Sequence, residues 1–203
     1  MILHALKGYY DRLAADQESG IPQFGYSREK IGWVVVIDLN GRIVEPVLDF
    51  RRTVVDKKGK EKKIPQEINV PTTTATASRS GTDPSPNFLW DKSGFVLGTD
   101  KQPGDNEKYF LKFRELHHLI GDSLEDEGMQ AVLRFLDGWV LTRITELENW
   151  GEIVKGSGNL VFRLDGDREF IHQRARVFKN WEKYVQSEEK RIAEENQNNH
   201  NAM

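Results

Sequence analysis

Residues 31–41, Ile-Gly-Trp-Val-Val-Val-Ile-Asp-Leu-Asn-Gly, join an apolar run to a turn signal. Ile31–Ile37 is rich in β-branched residues and almost continuously apolar, which predicts a buried β-strand. Asp38–Gly41 follows it, and its Asn-Gly pair tolerates the positive φ angles that a tight hairpin turn requires. The stretch therefore predicts a buried strand followed by a tight turn that reverses the direction of the chain.

The flanking segments extend this hairpin into an antiparallel meander. The return strand is predicted over Arg42–Phe50. A second hairpin is predicted from Thr53–Val55 and Lys63–Val70, with Asp56–Lys60 as its tip. Upstream, apolar residues recur at helical spacing over residues 2–16 and predict an amphipathic helix.

After residue 70 the pattern changes from strands to helices. A Thr/Ser/Gly/Pro-rich loop over 71–87 leads to a predicted short strand at Gly94–Gly98. Four helices and one strand are predicted beyond it: Asn106–Ile120, Leu124–Leu136, Trp139–Trp150, the strand Asn159–Leu164, and a final helix from Asp167 to Glu195.

These elements predict an α+β fold, with an N-terminal helix, an antiparallel β-meander, a long polar loop and a mostly helical C-terminal half. We expect one domain over 1–195, which is mainly β over about 1–100 and mainly α over about 105–195. The polar residues 196–203 are expected to form a disordered tail.

Composition limits the function classes. The 203 residues carry a formal net charge of −3, so any nucleic-acid contact must come from a local basic patch. The chain has no cysteine, which excludes disulfides and thiolate chemistry and fits a cytoplasmic location. Charged residues interrupt the N-terminal apolar residues, so we predict neither a signal peptide nor a membrane span.

Motifs for catalysis and cofactor binding are missing from the sequence. There is no G-x-G-x-x-G, no P-loop and no G-x-S-x-G. His117 and His118 are adjacent on a predicted helix, so they point in different directions and cannot share a metal. The acidic residues of 122–127 fit a helix N-terminus better than a calcium loop. We expect no enzyme activity, no cofactor and no metal.

Residues 51–63, RRTVVDKKGKEKK, form the most basic stretch of the chain. Seven Lys and Arg residues stand against Asp56 and Glu61, which gives a local net charge of +5. A solvated hairpin tip would explain this charge. The alternative is a surface that contacts backbone phosphates, where Lys and Arg release counterions and make affinity steeply salt-dependent.

The loop over 71–87 is the second candidate for nucleic-acid contact. It is rich in small hydroxyl residues and carries a single arginine, Arg79. Such residues can reach phosphates and groove edges, and a lone Arg can enter a groove. Asn87 can hydrogen-bond a base edge or cap the Phe88–Trp90 turn. The plainer interpretation is a surface loop anchored by its aromatic residues.

Several segments together resemble a known family, the large subunit of subtype I-C CRISPR Cascade, in its N-terminal part. The most specific one is Arg-Ser-Gly…Pro-Asn-Phe-Leu-Trp-Asp…Val-Leu-Gly within 79–98. The matching segments, in the same order, are MILHALKGYYDRLA (1–14), GRIV (41–44), VPTTTATASRSGTDPSPNFLWDKSGFVLGTDK (70–101), KYFLKFRELHHLI (108–120), AVLRFLDGW (131–139) and NLVFRLDGDREFIHQ (159–173).

Two departures from the family accompany this resemblance. The family protein is far longer and ends in a helical region that also serves as the small subunit, so this chain is expected to be a shortened form. Lys92 stands where the family often has Asn.

The resemblance implies a role in RNA-guided antiviral DNA surveillance. Guide RNA pairs with the target strand, and the protein inspects the short protospacer-adjacent motif in duplex DNA. The implied domain is non-catalytic, helps to separate the strands and helps to recruit a helicase–nuclease. Its implied partners are double-stranded DNA and the guide ribonucleoprotein, with its 5′-handle-binding and backbone subunits, and no membrane. A phage-encoded inhibitor is a further partner that no residue indicates.

Within this resemblance we expect two groups of DNA-contacting residues. The loop residues would lie near the motif, and the basic residues would contact phosphates: Ser78, Arg79, Ser80 and Asn87 in the first group, and Arg51, Arg52, Lys57, Lys58, Lys60 and Lys92 in the second. The alternative function is a docking domain that contacts neighbouring Cascade subunits without direct DNA readout. An enzyme is the third and least supported class.

Overall fold

The structure is a computed structural model, and it describes residues 22–44, 46–77, 85–156 and 158–201. The predicted helix over 2–16 lies outside the described residues. The fold is α+β with a helical C-terminal half, as the sequence predicts.

Seven strands lie in the described ranges. They are β1 (Tyr26–Ile37), β2 (Leu48–Asp49), β3 (Arg52–Val55), β4 (Glu61–Ile64), β5 (Gln66–Pro71), β6 (Trp90–Asp91) and β7 (Asn159–Leu164). The helices are α1 (Thr74–Ala77), α2 (Ser93–Val96), α3 (Glu107–Gly121), α4 (Glu127–Gly138), α5 (Trp150–Lys155) and α6 (Ala175–Asn201), with 3-10 helices at Leu141–Glu146 and Ile171–Gln173.

The long strand β1 is the centre of the main sheet. β7 pairs with it in parallel on one side and is followed outward by antiparallel β6, which gives the order β2-β1-β7-β6. On its other side β1 pairs antiparallel with both β2 and β5. β3 and β4 form a separate two-stranded sheet.

The sheet is buried on both faces around β1. Trp33, Val35 and Ile37 face the main core, which they share with side chains of β7 and the helices. Val34 and Val36 face a smaller cluster on the opposite side, together with Ile31. This double burial explains why Ile31–Ile37 reads as a continuous apolar run, since a strand covered on one face only would alternate with polar residues.

The sequence predicted the local elements well. The strand over Ile31–Ile37 and the turn at Asp38–Gly41 are confirmed, and Asp38 accepts hydrogen bonds from the backbone of Asn40 and Arg42 through one carboxylate oxygen. The second hairpin is confirmed as β3 and β4, but its second arm is Glu61–Ile64. Most of the arm predicted over Lys63–Val70 is β5, which pairs with β1. The predicted strand over Asn159–Leu164 is confirmed as β7, although its parallel pairing with β1 was not foreseen.

Other element predictions need correction. The return strand predicted over Arg42–Phe50 is limited to Leu48–Asp49 and an isolated bridge between Ile43 and Ile37. The strand predicted at Gly94–Gly98 is wrong, because Ser93–Val96 is a short buried helix; a brief apolar run does not distinguish the two states by period. The helix predicted over Trp139–Trp150 is a 3-10 helix at Leu141–Glu146. The last helix begins at Ala175 and not at Asp167, because a 3-10 helix at Ile171–Gln173 precedes it.

Candidate nucleic-acid interface

The basic hairpin interrupts an edge of the main sheet. β2 pairs with β1 through Trp33↔Asp49, and β5 pairs with it through Ile31↔Gln66. The backbone N–H of Phe50 donates to the Gly32 carbonyl, so the chain still follows β1 at residue 50. Gln66 then takes the place opposite Ile31 that residue 51 would fill if β2 simply continued. β2 and β5 are therefore two halves of one edge, and the hairpin projects from the break.

Arg51 fixes the base of this hairpin. Its guanidinium forms two hydrogen bonds of 2.8 Å to the Asp49 carboxylate and a third of 3.1 Å to Glu152. It also lies over the Trp33 ring, with 4.2 Å from Cζ to the ring centroid. These hydrogen bonds from Arg51 hold the pKa of Asp49 well below its usual range, with Lys63 adding to the effect. Only 9% of the Arg51 side chain is exposed.

The tip of the hairpin is a closed turn. Asp56 accepts hydrogen bonds from the backbone N–H groups of Lys58 and Lys60 at 2.8 and 2.9 Å. Gly59 completes the turn with a backbone φ of +79°, a value that residues with a side chain rarely adopt. Asp56 is thus occupied with the backbone, and its carboxylate shapes the turn that carries the lysines.

The remaining cations of the hairpin have no carboxylate partner within the part of the chain that the structure describes. They are Arg52, Lys57, Lys58, Lys60 and Lys62, and all five are exposed. Lys63 differs, because its ammonium group lies 2.7 Å from Asp49. A projecting two-stranded ribbon with unpaired positive charge has the chemistry to bind phosphates.

A basic groove continues from the hairpin across the end of the main sheet. Its first part, about 700 Å³, is lined by Arg52 and Lys62 of the hairpin and by Arg28 and Lys30 of β1. The second part, about 510 Å³, shares Arg28 and Lys30 and extends to Lys92. The groove is not purely basic, since the Arg28 guanidinium lies 3.2 Å from the Glu67 carboxylate and Asp100 lines the far end.

The family pattern of CRISPR-associated protein (Cas_Csd1) matches residues 6–198. The chain belongs to this CRISPR-associated family. No curated protein matches it. The family match covers the hairpin, the groove and the loop, so every predicted contact residue of this family member lies within the matched region.

The structure brings several of the predicted contact residues together. Arg52, Lys57, Lys58 and Lys60 are exposed on the hairpin, and Lys92 is exposed at the far end of the groove. The family member's Ser78, Arg79 and Ser80 lie outside the described residues. Their assignment to DNA contact stays a prediction.

Arg51 and Asn87 have internal partners in the structure. Asn87 is 3% exposed, and both its backbone N–H and its side-chain amide donate to one Asp91 carboxylate oxygen, at 2.9 and 3.1 Å. The other Asp91 oxygen accepts from the backbone N–H of Lys92. Asn87 thus shapes the turn before Lys92, and direct DNA contact would require it to leave that turn. The DNA-binding assignment of both residues stays a prediction.

Sequence reasoning missed Arg28 and Lys30 as parts of the surface. Their positions two apart on a strand place both side chains on the same face, and both are exposed while Ile31 beside them is buried. That alternation was the available signal. It was overlooked because the predicted strand begins only at Ile31, so residues 27–30 were not assigned to it.

The aromatic anchor of the loop is part of the core. Phe88 and Trp90 are buried, and the Trp90 indole donates to the Pro71 carbonyl at 2.6 Å, which ties the two ends of the loop together. Phe88 stacks on Trp181 of α6, with 5.1 Å between ring centroids. The expectation that these rings anchor the loop agrees with their burial.

Metal clusters and membrane-spanning helices are both missing from the described residues. Within the described ranges, no three His, Asp or Glu side chains are grouped closely enough to hold a metal ion. The same part of the chain contains no helix with the length and apolar character needed to cross a bilayer. In the acidic cluster, Asp126 caps α4 by accepting the Met129 N–H and pairs with Arg174, a structural role like the one expected.

Proposed function

We propose that this protein is a non-catalytic DNA-inspecting module of an RNA-guided CRISPR surveillance complex, equivalent to the N-terminal part of the subtype I-C Cascade large subunit. It would recognise the duplex beside the target and aid strand separation and helicase–nuclease recruitment. The observation that carries the proposal is the projecting hairpin, whose exposed cations Arg52, Lys57, Lys58, Lys60 and Lys62 lack carboxylate partners within the described residues.

The shape of the hairpin supports a duplex as its ligand. A two-stranded ribbon fits the major groove of B-form DNA or can lie along its backbone. Lysines at its tip act as flexible point charges, which suits phosphate contacts that carry no sequence information. The ion pairs of Arg51 with Asp49 and Glu152 at the base of the hairpin would hold the ribbon in a fixed direction relative to the sheet. The hairpin would thereby position duplex DNA without reading it.

Sequence readout is assigned to the loop. Arg79, with Ser78 and Ser80, would contact the base edges of the protospacer-adjacent motif, and Lys92 would bind a phosphate at the far end of the groove. The support for this division is the family membership, together with the fixed positions of the loop ends at Pro71 and Trp90. Guide RNA pairing would supply the remaining sequence specificity.

The competing function is a docking domain that holds neighbouring subunits and does not touch DNA. Binding of the assembled complex to duplexes with and without the motif separates the two. For the DNA-inspecting function, Arg79→Ala reduces the preference for the motif, whereas Lys57→Ala/Lys58→Ala weakens binding to both duplexes alike. The exposed α6 pair Lys179→Ala/Lys183→Ala is the control for lost charge. Unchanged binding of all variants would favour the docking domain.

A further inference from the structure

A second cationic surface lies away from the hairpin, where the β1–β2 turn meets the C-terminal end of α4. It surrounds a pocket of about 580 Å³ that is lined by Arg42, Arg134 and Arg143, with Trp139 and Glu146 among the other walls. The proposed DNA contacts do not use these residues.

The turn beside this pocket is held rigidly against α4. Arg134 donates from Nη1 to the Leu39 carbonyl at 2.8 Å. Gly41 has a φ of +76°, and a Cβ atom at this position would lie 2.3 Å from the Phe135 backbone nitrogen. The backbone of the turn therefore packs directly on the helix. A surface fixed in this way loses little conformational entropy when it binds a partner.

The chemistry of this surface differs from that of the hairpin. Three of the exposed large aliphatic side chains adjoin the pocket in sequence: Leu39 is 53% exposed, Val44 is 39% exposed and Val140 is 52% exposed. The cations among the described lining residues are all arginines. The hairpin tip, in contrast, presents Lys57, Lys58 and Lys60.

We propose that this surface binds an acidic protein surface that presents an apolar anchor residue. Arginine and aromatic side chains are enriched in protein interfaces, where lysine is depleted, and this pocket is lined by three arginines and Trp139. Arg143 already pairs with Glu146 at 2.8 Å. Arg42 and Arg134 form no ion pair within 4 Å among the described residues, and Arg42 interacts with the Asp38 carboxylate only at longer range. Both guanidinium groups would therefore receive carboxylates of the partner. The pocket and the flanking aliphatic side chains would receive its anchor.

A protein fits this surface better than a nucleic acid. Exposed Leu39, Val44 and Val140 gain free energy only when a partner removes their apolar area from water. The Trp139 ring is also partly occupied, because its indole N–H donates to the Leu97 carbonyl at 3.2 Å and its ring packs on Phe135. It is therefore a poor stacking platform for a base.

This inference rests on the proposed function in one respect: the partner used in the test is the set of protein subunits of the same CRISPR complex. Hydrogen exchange of this chain is measured alone, with those subunits without RNA, and with guide RNA alone. Protection of residues 39–44 and 134–143 by the protein subunits is the expected result. Protection by the RNA alone, or by neither, would overturn the proposal.

A charge-reversed variant supplies the second measurement. Arg42→Glu/Val140→Glu changes two exposed side chains and is expected to weaken association with the subunits roughly tenfold or more. Arg168→Glu reverses an exposed charge elsewhere and should leave association unchanged. Thermal unfolding verifies that each variant is folded. Equal association of the double variant and the wild type would refute the proposal that this surface binds a protein partner. Loss of the DNA binding that depends on the hairpin would contradict only the proposed function.

Discussion

Leu89 donates its backbone N–H to Nε2 of the buried His117 at 2.9 Å. The other ring nitrogen, Nδ1, lies 2.6 Å from the Phe113 carbonyl, which can only accept, so Nδ1 carries the proton and Nε2 is the acceptor. Leu89 has a φ of +64°, in the left-handed region that costs a non-glycine residue about 1–2 kcal/mol. The imidazole therefore holds the loop anchor in a conformation that the chain would otherwise avoid.

Replacing His117 should destabilise the fold. His117→Ala leaves the Leu89 N–H without its acceptor and opens a cavity in the core, so we expect a loss of about 2–4 kcal/mol in the free energy of unfolding. Urea denaturation measures it. His118→Ala, one residue along on the exposed face of α3, is the control and should cost less. An equal loss in the two variants would contradict the structural role of His117.

Acid should destabilise the protein through two buried histidines. Burial lowers the pKa of His117 from 6.5 to about 3 and that of His172 to about 4. Both are neutral in both states above pH 6.5, so they cost nothing there. As the pH falls below that value, these histidines bind protons in the unfolded chain but not in the folded chain. The free energy of unfolding therefore drops by up to roughly 1.4 kcal/mol per pH unit for each histidine.

The contribution of His172 can be isolated with a conservative variant. His172 donates from Nε2 to the Asn69 carbonyl at 3.1 Å, and His172→Gln offers an amide donor without a titrating group. We expect urea unfolding of this variant to lose less stability between pH 6.5 and about 4 than the wild type. Parallel pH profiles of the two proteins would show that His172 titrates normally in the folded state.

His118 should have the opposite pH dependence. Its ring lies between Asp122, at 2.7 Å from Nδ1, and Asp137, at 2.9 Å from Nε2, and so joins α3 to α4. Partial burial lowers the pKa of His118, but the two carboxylates outweigh it and the net shift is upward. The stabilisation is complete below the unfolded pKa and is lost as the pH rises through the folded one.

The variant His118→Gln removes this titrating bridge. Relative to it, the wild type should be more stable by about 0.5–1 kcal/mol in mildly acidic buffer, and the difference should shrink towards alkaline pH. Unfolding in urea across this range provides the comparison. A difference that does not change with pH would mean that the imidazolium is not the species held between Asp122 and Asp137.

Arg51 and Arg52 should behave differently although they are neighbours. Arg51→Lys loses the paired hydrogen bonds to Asp49 and the stacking on Trp33, so we expect a loss of about 1–3 kcal/mol and faster hydrogen exchange in the hairpin. Arg52→Lys keeps the charge at an exposed position and should leave both quantities unchanged. If Arg51→Lys also has no effect, the guanidinium does not fix the hairpin base.

Sequence reasoning predicted the elements that local interactions fix, and it missed those that depend on residues far apart in the chain. The Asp38–Gly41 turn and the β3–β4 hairpin were predictable because the side chains that fix them are neighbours in the chain. The pairing of β1 with β7 joins residues that are far apart in sequence, and no local pattern encodes it. The helix at Ser93–Val96 was mistaken for a strand because its few apolar residues have no readable period.

The site shows the same limit. Charge alone marked residues 51–63 as a patch, yet the ion pair of Arg51 with Glu152 could not be read from composition. For Asn87 the sequence left two roles open, a base contact and a turn cap. The structure shows the hydrogen bonds of a turn residue. The folded structure shows which hairpin cations form ion pairs and which are exposed without one. The sequence alone could not make this distinction.

Salt dependence of DNA binding tests the phosphate-contact role of the hairpin most directly. The assembled complex carrying Lys57→Ala/Lys58→Ala/Lys60→Ala should bind duplex DNA more weakly, with a slope of log affinity against log salt that is shallower by about 2–3. The change should be equal with and without the adjacent motif, and Lys179→Ala/Lys183→Ala should retain the wild-type slope. A wild-type slope in the hairpin variant would contradict the account.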